Sequence, residues 1–425
     1  MKSLAKITLV ITLFFSIQLN AQEHDHRNCG TQLKLAQMIQ EDSTYVQVLQ
    51  QMEAQVDEYA KTSHNEKAVI TIPVVVHVIY KIAAQNISDA QIQSQIDALN
   101  KDYRRLNTDV SNTPSVWSGI AADCQIEFCL AKTDPSGNPT TGITRTQTTK
   151  TGFDIYTDEA KFASSGGHDI WNRNYYLNLW VVPAILEGTT ASGILGYAQM
   201  PGSTATTDGV VICYRYFGTT GTAQSPFNKG RTATHEIGHW LNLYHIWGDD
   251  NGACNGSDNV TDTPNQAEEN YGSSNTFPLL DACATTSPGV MFMNYMDYTD
   301  DGAMNLFTNG QKTRMLAALN NARAMIKTSP KCQSVGFSET NLITNLTLAP
   351  NPANDNITLT FENNQQSSEI SYEILNSQAQ LVAKQNIGNE TFFKQNIDIS
   401  DFSKGIYFLK LQAGTKVEIK TFIKL

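Results

Sequence analysis

The stretch His235 to His245, HEIGHWLNLYH, gathers three of the eight histidines of the chain. On a helix, His235 and His239 stand one turn apart on the same face, so both imidazoles reach a single metal ion with Glu236 beside them. His245 lies six residues beyond His239 and cannot share that face of a continuing helix, so the chain is predicted to turn sharply between them. Asn242 occupies the position where the three-histidine signature carries glycine. Asparagine is the next best residue for the left-handed backbone that ends a helix, which keeps the predicted turn intact. Three imidazoles leave a fourth position on zinc open for water, and a neighbouring carboxylate can take that water's proton. His235, His239 and His245 are therefore predicted zinc ligands, with Glu236 the catalytic base. Ile237, Trp240, Leu241 and Leu243 supply the apolar back face that would seat the helix in a core.

Upstream, Ile70 to Tyr80 reads ITIPVVVHVIY, a β-branched run of the kind that forms a buried strand. Ser88 followed by Gln91 is a capping-box pattern, and Ile92, Ile96, Leu99 and Tyr103 then recur at helical spacing up to Arg105. Cys124–Ala131, Leu177–Val182, Gly193–Met200 and Gly209–Tyr214 are further strand candidates. Strands interleaved with helices predict an α/β or α+β domain over residues 67–335. The preceding residues 22–66 are polar, with a helical patch from Gln32 to Glu58, and read as a propeptide. Residues 1–21 carry Lys2 and Lys6, an apolar run from Ile7 to Ile17 and small residues near Ala21, the pattern of a signal peptide. From residue 340 to 425 short alternating runs (NITLTF at Asn356–Phe361, SYEIL at Ser371–Leu375, GIYFLKL at Gly405–Leu411, KVEIKTFIKL at Lys416–Leu425) predict a small all-β sandwich.

Composition narrows the function classes. The 425 residues carry a formal net charge of −11 without runs of like charge, so no footprint for nucleic acid or an anionic membrane is present. No segment after the leader is long and apolar enough to span a bilayer. An exported protein with seven cysteines leaves one over. If a leading segment containing Cys29 is removed, the remaining six allow three disulfides.

Beyond His245 the chain reads MFMNYMDYTDD from Met291 to Asp301. Here it resembles the metzincin zinc proteases, and within them the pappalysin family, called cytophagalysins in bacteria. The resemblance runs from Ile70 to Lys331 and rests on CQIEFCLA (Cys124–Ala131), TTGITR (Thr140–Arg145), GYAQMPG (Gly196–Gly202), ATTDGVVI (Ala205–Ile212), DNVTDTPNQ (Asp258–Gln266), NYMDYTDD (Asn294–Asp301) and FTNGQKTRM (Phe307–Met315). It implies an α+β metzincin-like catalytic domain, a mixed sheet with long helices, in which Met296 is the Met-turn residue under the metal and Tyr298 approaches the metal or the oxyanion. It further implies calcium in the acidic loop between Gly248 and Asn270. Asp258, Asp262, Thr263 and the carbonyl of Val260 are the candidate ligands, and Cys254 pairs with Cys283. Cys29, in RNCGT (Arg27–Thr31), matches the cysteine that some metzincin zymogens place on zinc. The run from Gly193 to Met200 is the expected edge strand to which an extended peptide substrate adds.

The C-terminal run LAPNPANDNITLTF (Leu348–Phe361), with GIYFLKL and KTFIKL, resembles the sorting domain of type IX secretion substrates. That resemblance implies export through the periplasm to the cell surface or medium, with the secretion machinery as partner. The expectation is a secreted zinc endopeptidase made as a latent zymogen, acting on protein or peptide substrates. The competing reading is a secreted surface binding or adhesion protein with a structural zinc, and Glu236 separates the two because a structural site needs no carboxylate there.

Overall fold

The structure is a computed structural model that describes residues 26–62, 68–333, 343–363, 369–413 and 416–425. The signal-peptide pattern at residues 1–21 lies outside the described residues. Contacts divide the chain into two compact units, Met1–Ser334 and Val335–Leu425.

The first unit opens with helices α1 (Thr31–Glu41) and α2 (Tyr45–Lys61). The sequence reading ran one helical patch through this region. The break arises because the Asp42 carboxylate accepts both the Thr44 N–H (2.9 Å) and its hydroxyl (2.6 Å), an Asx turn that competes with helix continuation. Strand β1 (Ile70–Tyr80) follows and is buried over most of its length. Helix α3 (Asp89–Tyr103) begins where Ser88 Oγ accepts the Gln91 N–H at 3.2 Å. The reciprocal half of the predicted capping box is replaced, because the Gln91 amide donates instead to the carbonyls of Phe217 (2.8 Å) and Tyr214 (3.4 Å).

A one-turn helix α4 (Ser115–Ser118) leads to β2 (Ile126–Leu130), β3 (Ile143–Gln147), β5 (Leu177–Val182), β8 (Gly196–Ala198) and β9 (Val210–Cys213). The sheet order is β2-β1-β5-β9-β8, with β3 also on β1. All pairings are parallel except β8 on β9. Strands β1 and β5 are apolar throughout because both faces of a mainly parallel sheet are covered. A small ribbon of β4 (Phe153–Asp154), β6 (Ile185–Glu187) and β7 (Thr190–Ala191) flanks the sheet. Helices α5 (Arg231–Trp240) and α6 (Asn309–Asn320) complete the unit, with α5 packed on α3, β8 and β9. Trp240 of α5 is locked under the Arg323 guanidinium, 3.8 Å above the ring, and Arg323 is itself held by Asp208 at 2.7 and 2.9 Å.

Two disulfides are present, Cys129–Cys332 and Cys254–Cys283. The second is the pair implied by the resemblance. Three bridges among six cysteines are not formed, since Cys124 and Cys213 are buried free thiols on different elements.

The second unit pairs β10 (Ile343–Ala349), β11 (Asn356–Asn363) and β14 (Phe392–Asp398) in one antiparallel sheet. A second sheet runs β13 (Leu381–Gly388), β12 (Ile370–Asn376), β15 (Gly405–Ala413), β16 (Lys416–Lys424). Ile357, Leu359, Phe361, Ile374, Leu409, Leu411 and Phe422 fill the space between them. Alternation made four of these strands legible. β10, β13 and β14 give no clear pattern because their alternation is interrupted, by a register shift between Thr344 and Thr347 in β10, by Gln385 in β13 and by Gln395 in β14.

Candidate metal centre

Helix α5 ends where the backbone of Asn242 turns left-handed, with φ at 76°, as the sequence predicts. The turn carries His245 back towards His235 and His239. His239 Nε2 lies 3.1 Å from Nε2 of both His235 and His245. Every Nδ1 faces an acceptor at 2.8 Å: the Tyr295 carbonyl for His235, the Leu243 carbonyl for His239 and Asp249 for His245. Each Nδ1 therefore carries the ring proton, and three Nε2 lone pairs point at one another. Lone pairs cannot hydrogen-bond to each other. They suit a cation, since tetrahedral Zn–N bonds of about 2.0–2.1 Å place nitrogens about 3.3 Å apart. Burial and the neighbouring imidazoles hold His235 well below the usual histidine range and push His239 down to about 3, so both rings are neutral.

The fourth corner belongs to Cys29. Its Sγ and the three ligand nitrogens all lie within 4.8 Å of one another, all buried. The segment Asn28–Gly30 lies parallel along the outer edge of β8: Leu195 N–H donates to the Asn28 carbonyl and Gly30 N–H to the Gly196 carbonyl, each at 2.9 Å. The predicted edge strand is thus at the sheet edge, with the N-terminal arm, residues 26–62, seated on it. All ten residues of α5 are buried, where the sequence marked only one apolar face, because the arm covers the metal face.

Glu236 sits beside the histidines, and its Oε2 accepts the Thr31 hydroxyl at 3.0 Å and the Cys29 thiol at 3.3 Å. Burial pushes its carboxyl up to about 7 against the lowering effect of those two donors. A Cβ at Gly196 would come within 2.9 Å of Glu236 Cγ, so only glycine lets β8 pass over this carboxylate. Gly238 is constrained likewise: a Cβ there would meet Met296 Sδ at 2.5 Å, which places the predicted Met-turn sulfur directly against the metal helix. The Tyr298 hydroxyl accepts the Cys29 N–H at 3.2 Å, and its ring lies 5.0 Å from that of His245 and 5.8 Å from that of His235. Burial, Cys29 and Glu236 push the phenol well above its ordinary range.

Three groups that serve the site carry no sequence signal of their own. Asp249 orients His245 and also accepts from Gln32 of the arm. Arg27 is 2% exposed; it lies 2.6 Å from Asp301 Oδ1 and donates to the Thr299 carbonyl at 3.2 Å and Thr232 Oγ1 at 3.4 Å, with Phe227 under its guanidinium at 5.0 Å. Asp102 receives the Thr234 hydroxyl at 2.8 Å and the Tyr295 hydroxyl at 2.9 Å, tying the residue before the first ligand to the residue that orients it.

The acidic loop places its four predicted residues together. Thr263 Oγ1 faces Asp258 Oδ1 (3.0 Å), Asp258 Oδ2 (2.9 Å) and the Val260 carbonyl (3.0 Å), three acceptors for one hydroxyl proton. Asp262 Oδ2 accepts the Gly310 N–H at 2.9 Å, while its buried Oδ1 has no partner. Burial, with Asp262 adding to it, pushes the Asp258 carboxyl up to about 7.

Residues 163–320 match the peptidase M43 family described as Pregnancy-associated plasma protein-A, and residues 347–425 match the secretion system C-terminal sorting domain. A promirolysin mutant from Tannerella forsythia is 48% identical, with a TM-score of 0.65, covering 72% of this chain and 98% of that one. Mature mirolysin from the same organism, in complex with a cleaved peptide, is 52% identical with a TM-score of 0.59, covering 63% and 97%. An extracellular metalloprotease of Arthroderma otae is 32% identical over 261 residues, 60% of this chain and 80% of the relative. Among the described residues no helix is long and apolar enough to cross a membrane.

Proposed function

The chain belongs to the M43, pregnancy-associated plasma protein-A, family of peptidases and is a secreted or cell-surface metalloendopeptidase, and we propose that its metal is zinc, held by His235, His239 and His245 and kept latent by Cys29. The observation that carries this is the convergence of three Nε2 lone pairs whose Nδ1 protons are all committed elsewhere. Zinc there would supply Lewis acidity and make water a nucleophile near neutral pH. Glu236 takes the proton from the attacking water on its carboxylate and returns it to the leaving amine. The Tyr298 hydroxyl, freed from the Cys29 N–H, donates to the oxyanion. Met296 packs under the helix and fixes the height of both ligands on it. The substrate strand replaces Asn28–Gly30 along β8.

Residues 1–21 then act as signal peptide, 22–66 as propeptide, 67–335 as catalytic domain and 340–425 as the type IX sorting domain. The pocket that holds the Arg27 guanidinium on Asp301 opens when the propeptide leaves, which favours cleavage beside arginine. Calcium on Asp258, Asp262, Thr263 and the Val260 carbonyl would neutralise the buried carboxylates of the acidic loop. Its removal by a calcium-selective chelator is expected to lower Tm by several degrees, about 1–2 kcal/mol for free calcium at roughly ten times the site's Kd. An unchanged melting curve would leave that loop metal-free.

The test of the main reading is digestion of a denatured protein mixture by the processed enzyme, with the new termini read by mass spectrometry. Cleavage is expected beside arginine, lost on treatment with 1,10-phenanthroline and restored by added zinc. Activity that survives removal of all zinc would reject zinc as the catalytic metal.

A further inference from the structure

Two cations of the arm flank Cys29 in the chain, and each ends in a socket of the same construction. Arg27, two residues before Cys29, meets Asp301 Oδ1 at 2.6 Å, while Oδ2 of the same carboxylate accepts the backbone N–H groups of Lys229 (2.7 Å) and Arg231 (3.3 Å). Lys34, five residues after Cys29, lies on the first turn of α1 and is 6% exposed. Its ammonium stands 2.7 Å from Asp158 Oδ2 and donates to the carbonyls of Ile155 and Tyr156, both at 3.3 Å, and to Gln37 Oε1 at 3.1 Å. Asp158 Oδ1 faces away from the arm, receiving the Tyr197 hydroxyl at 3.1 Å and the Lys161 ammonium at 2.8 Å. In both sockets the catalytic unit holds one carboxylate oxygen and presents the other to a cation of the arm.

Lys161 cannot take over when Lys34 departs. Its three N–H groups already meet Asp158 Oδ1, the Thr207 carbonyl at 2.7 Å and Gln199 Oε1 at 3.4 Å. Asp158 Oδ2 and the carbonyls of Ile155 and Tyr156 then line a recess as three acceptors. Such a set selects a side chain with several donors and a positive charge over an apolar one. The recess adjoins the substrate edge, because Tyr197, which holds Asp158, belongs to β8 and precedes Ala198, whose N–H donates to Thr31 of the arm at 2.9 Å.

We propose that Asp158, with the carbonyls of Ile155 and Tyr156, forms a second specificity socket that takes a basic substrate side chain on the opposite side of the scissile bond from the residue held by Asp301. This rests on the peptidase reading above. The arm runs extended beside β8 only over Asn28–Gly30, with the Cys29 sulfur at the histidine cluster, and Lys34 reaches Asp158 from the first turn of α1. A peptide lying on the same edge passes Gly196, Tyr197 and Ala198, and Tyr197 is the residue that holds Asp158.

The test is a peptide library digested by the enzyme after maturation has removed the arm, with cleavage profiles compared for the parent, Asp158→Asn and Asp301→Asn. The parent is expected to enrich lysine and arginine about tenfold on both sides of the cut. Asp158→Asn should flatten one side and Asp301→Asn the other. A parent profile with no basic preference opposite the Asp301-dependent side overturns the proposal, whether or not the Asp158 variant folds. So does a preference that persists in a folded Asp158→Asn enzyme. A library left uncut overturns the peptidase reading instead, and this proposal with it.

Discussion

Replacing Glu236 by alanine is expected to lower kcat/KM on peptide substrates about a thousandfold, within the range a positioned general base contributes. The carboxylate is 1% exposed, lies on the metal face of α5 beside the three histidines and touches no other residue of the catalytic unit through a hydrogen bond; its two donors, Thr31 and Cys29, belong to the arm. Once the arm leaves, the carboxylate has the cleft to itself. Because Glu236 carries no structural hydrogen bond, the variant should fold and keep its metal, held by imidazoles whose Nδ1 partners are untouched. Its Tm should stay within a degree or two of the parent or rise, since a buried carboxylate that burial already pushes up to about 7 is removed. The measurement is a progress curve on a quenched peptide together with bound zinc. Activity above a tenth of the parent at full metal content would mean that Glu236 does not move the proton.

The full-length chain carrying Cys29→Ala is expected to hydrolyse a small peptide, or process itself, at least about tenfold faster than the parent. The sulfur fills the one corner of the histidine cluster that substrate and water need, and alanine cannot ligate. Latency should nevertheless fall only in part, because the arm has other anchors. Arg27 pairs with Asp301, Lys34 with Asp158, and the carboxylate of Glu53 on α2 grips Arg314 with both oxygens at 2.7 Å. The catalytic partners in these pairs are buried, so parting them leaves charges with reduced solvation and holds the arm in place. Adding Arg27→Ala to Cys29→Ala should therefore raise activity again. A Cys29→Ala proform as silent as its parent would show that the arm inhibits by cover alone.

Much of the site was legible along the chain. His235, Glu236 and His239 are one helical turn, and the turn at Asn242 follows from its tolerance of positive φ, so local geometry alone gathers them. Strand Ile70–Tyr80 is the β-branched run, and the strands Ile126–Leu130, Leu177–Val182, Gly196–Ala198 and Val210–Cys213 fall inside the four further candidate runs. The arm helix was overextended because an Asx turn at Asp42 competes with a helical pattern that continues through it. Arg27, Lys34, Asp158 and Asp301 gave no signal, because a buried ion pair between residues 274 positions apart has no periodicity to read.

Sequence by itself determined the metal helix, its turn, the β-branched strands and the alternating C-terminal module, since each depends on contacts among residues a few positions apart. Only the tertiary structure decided that Cys129 pairs with Cys332 while Cys124 and Cys213 stay free, that α5 is covered on its metal face, and that two distant carboxylates meet cations of the same arm. Those outcomes depend on which surfaces the packed sheet brings together, and exclusion of water makes charge pairs there strong enough to hold the arm across the metal.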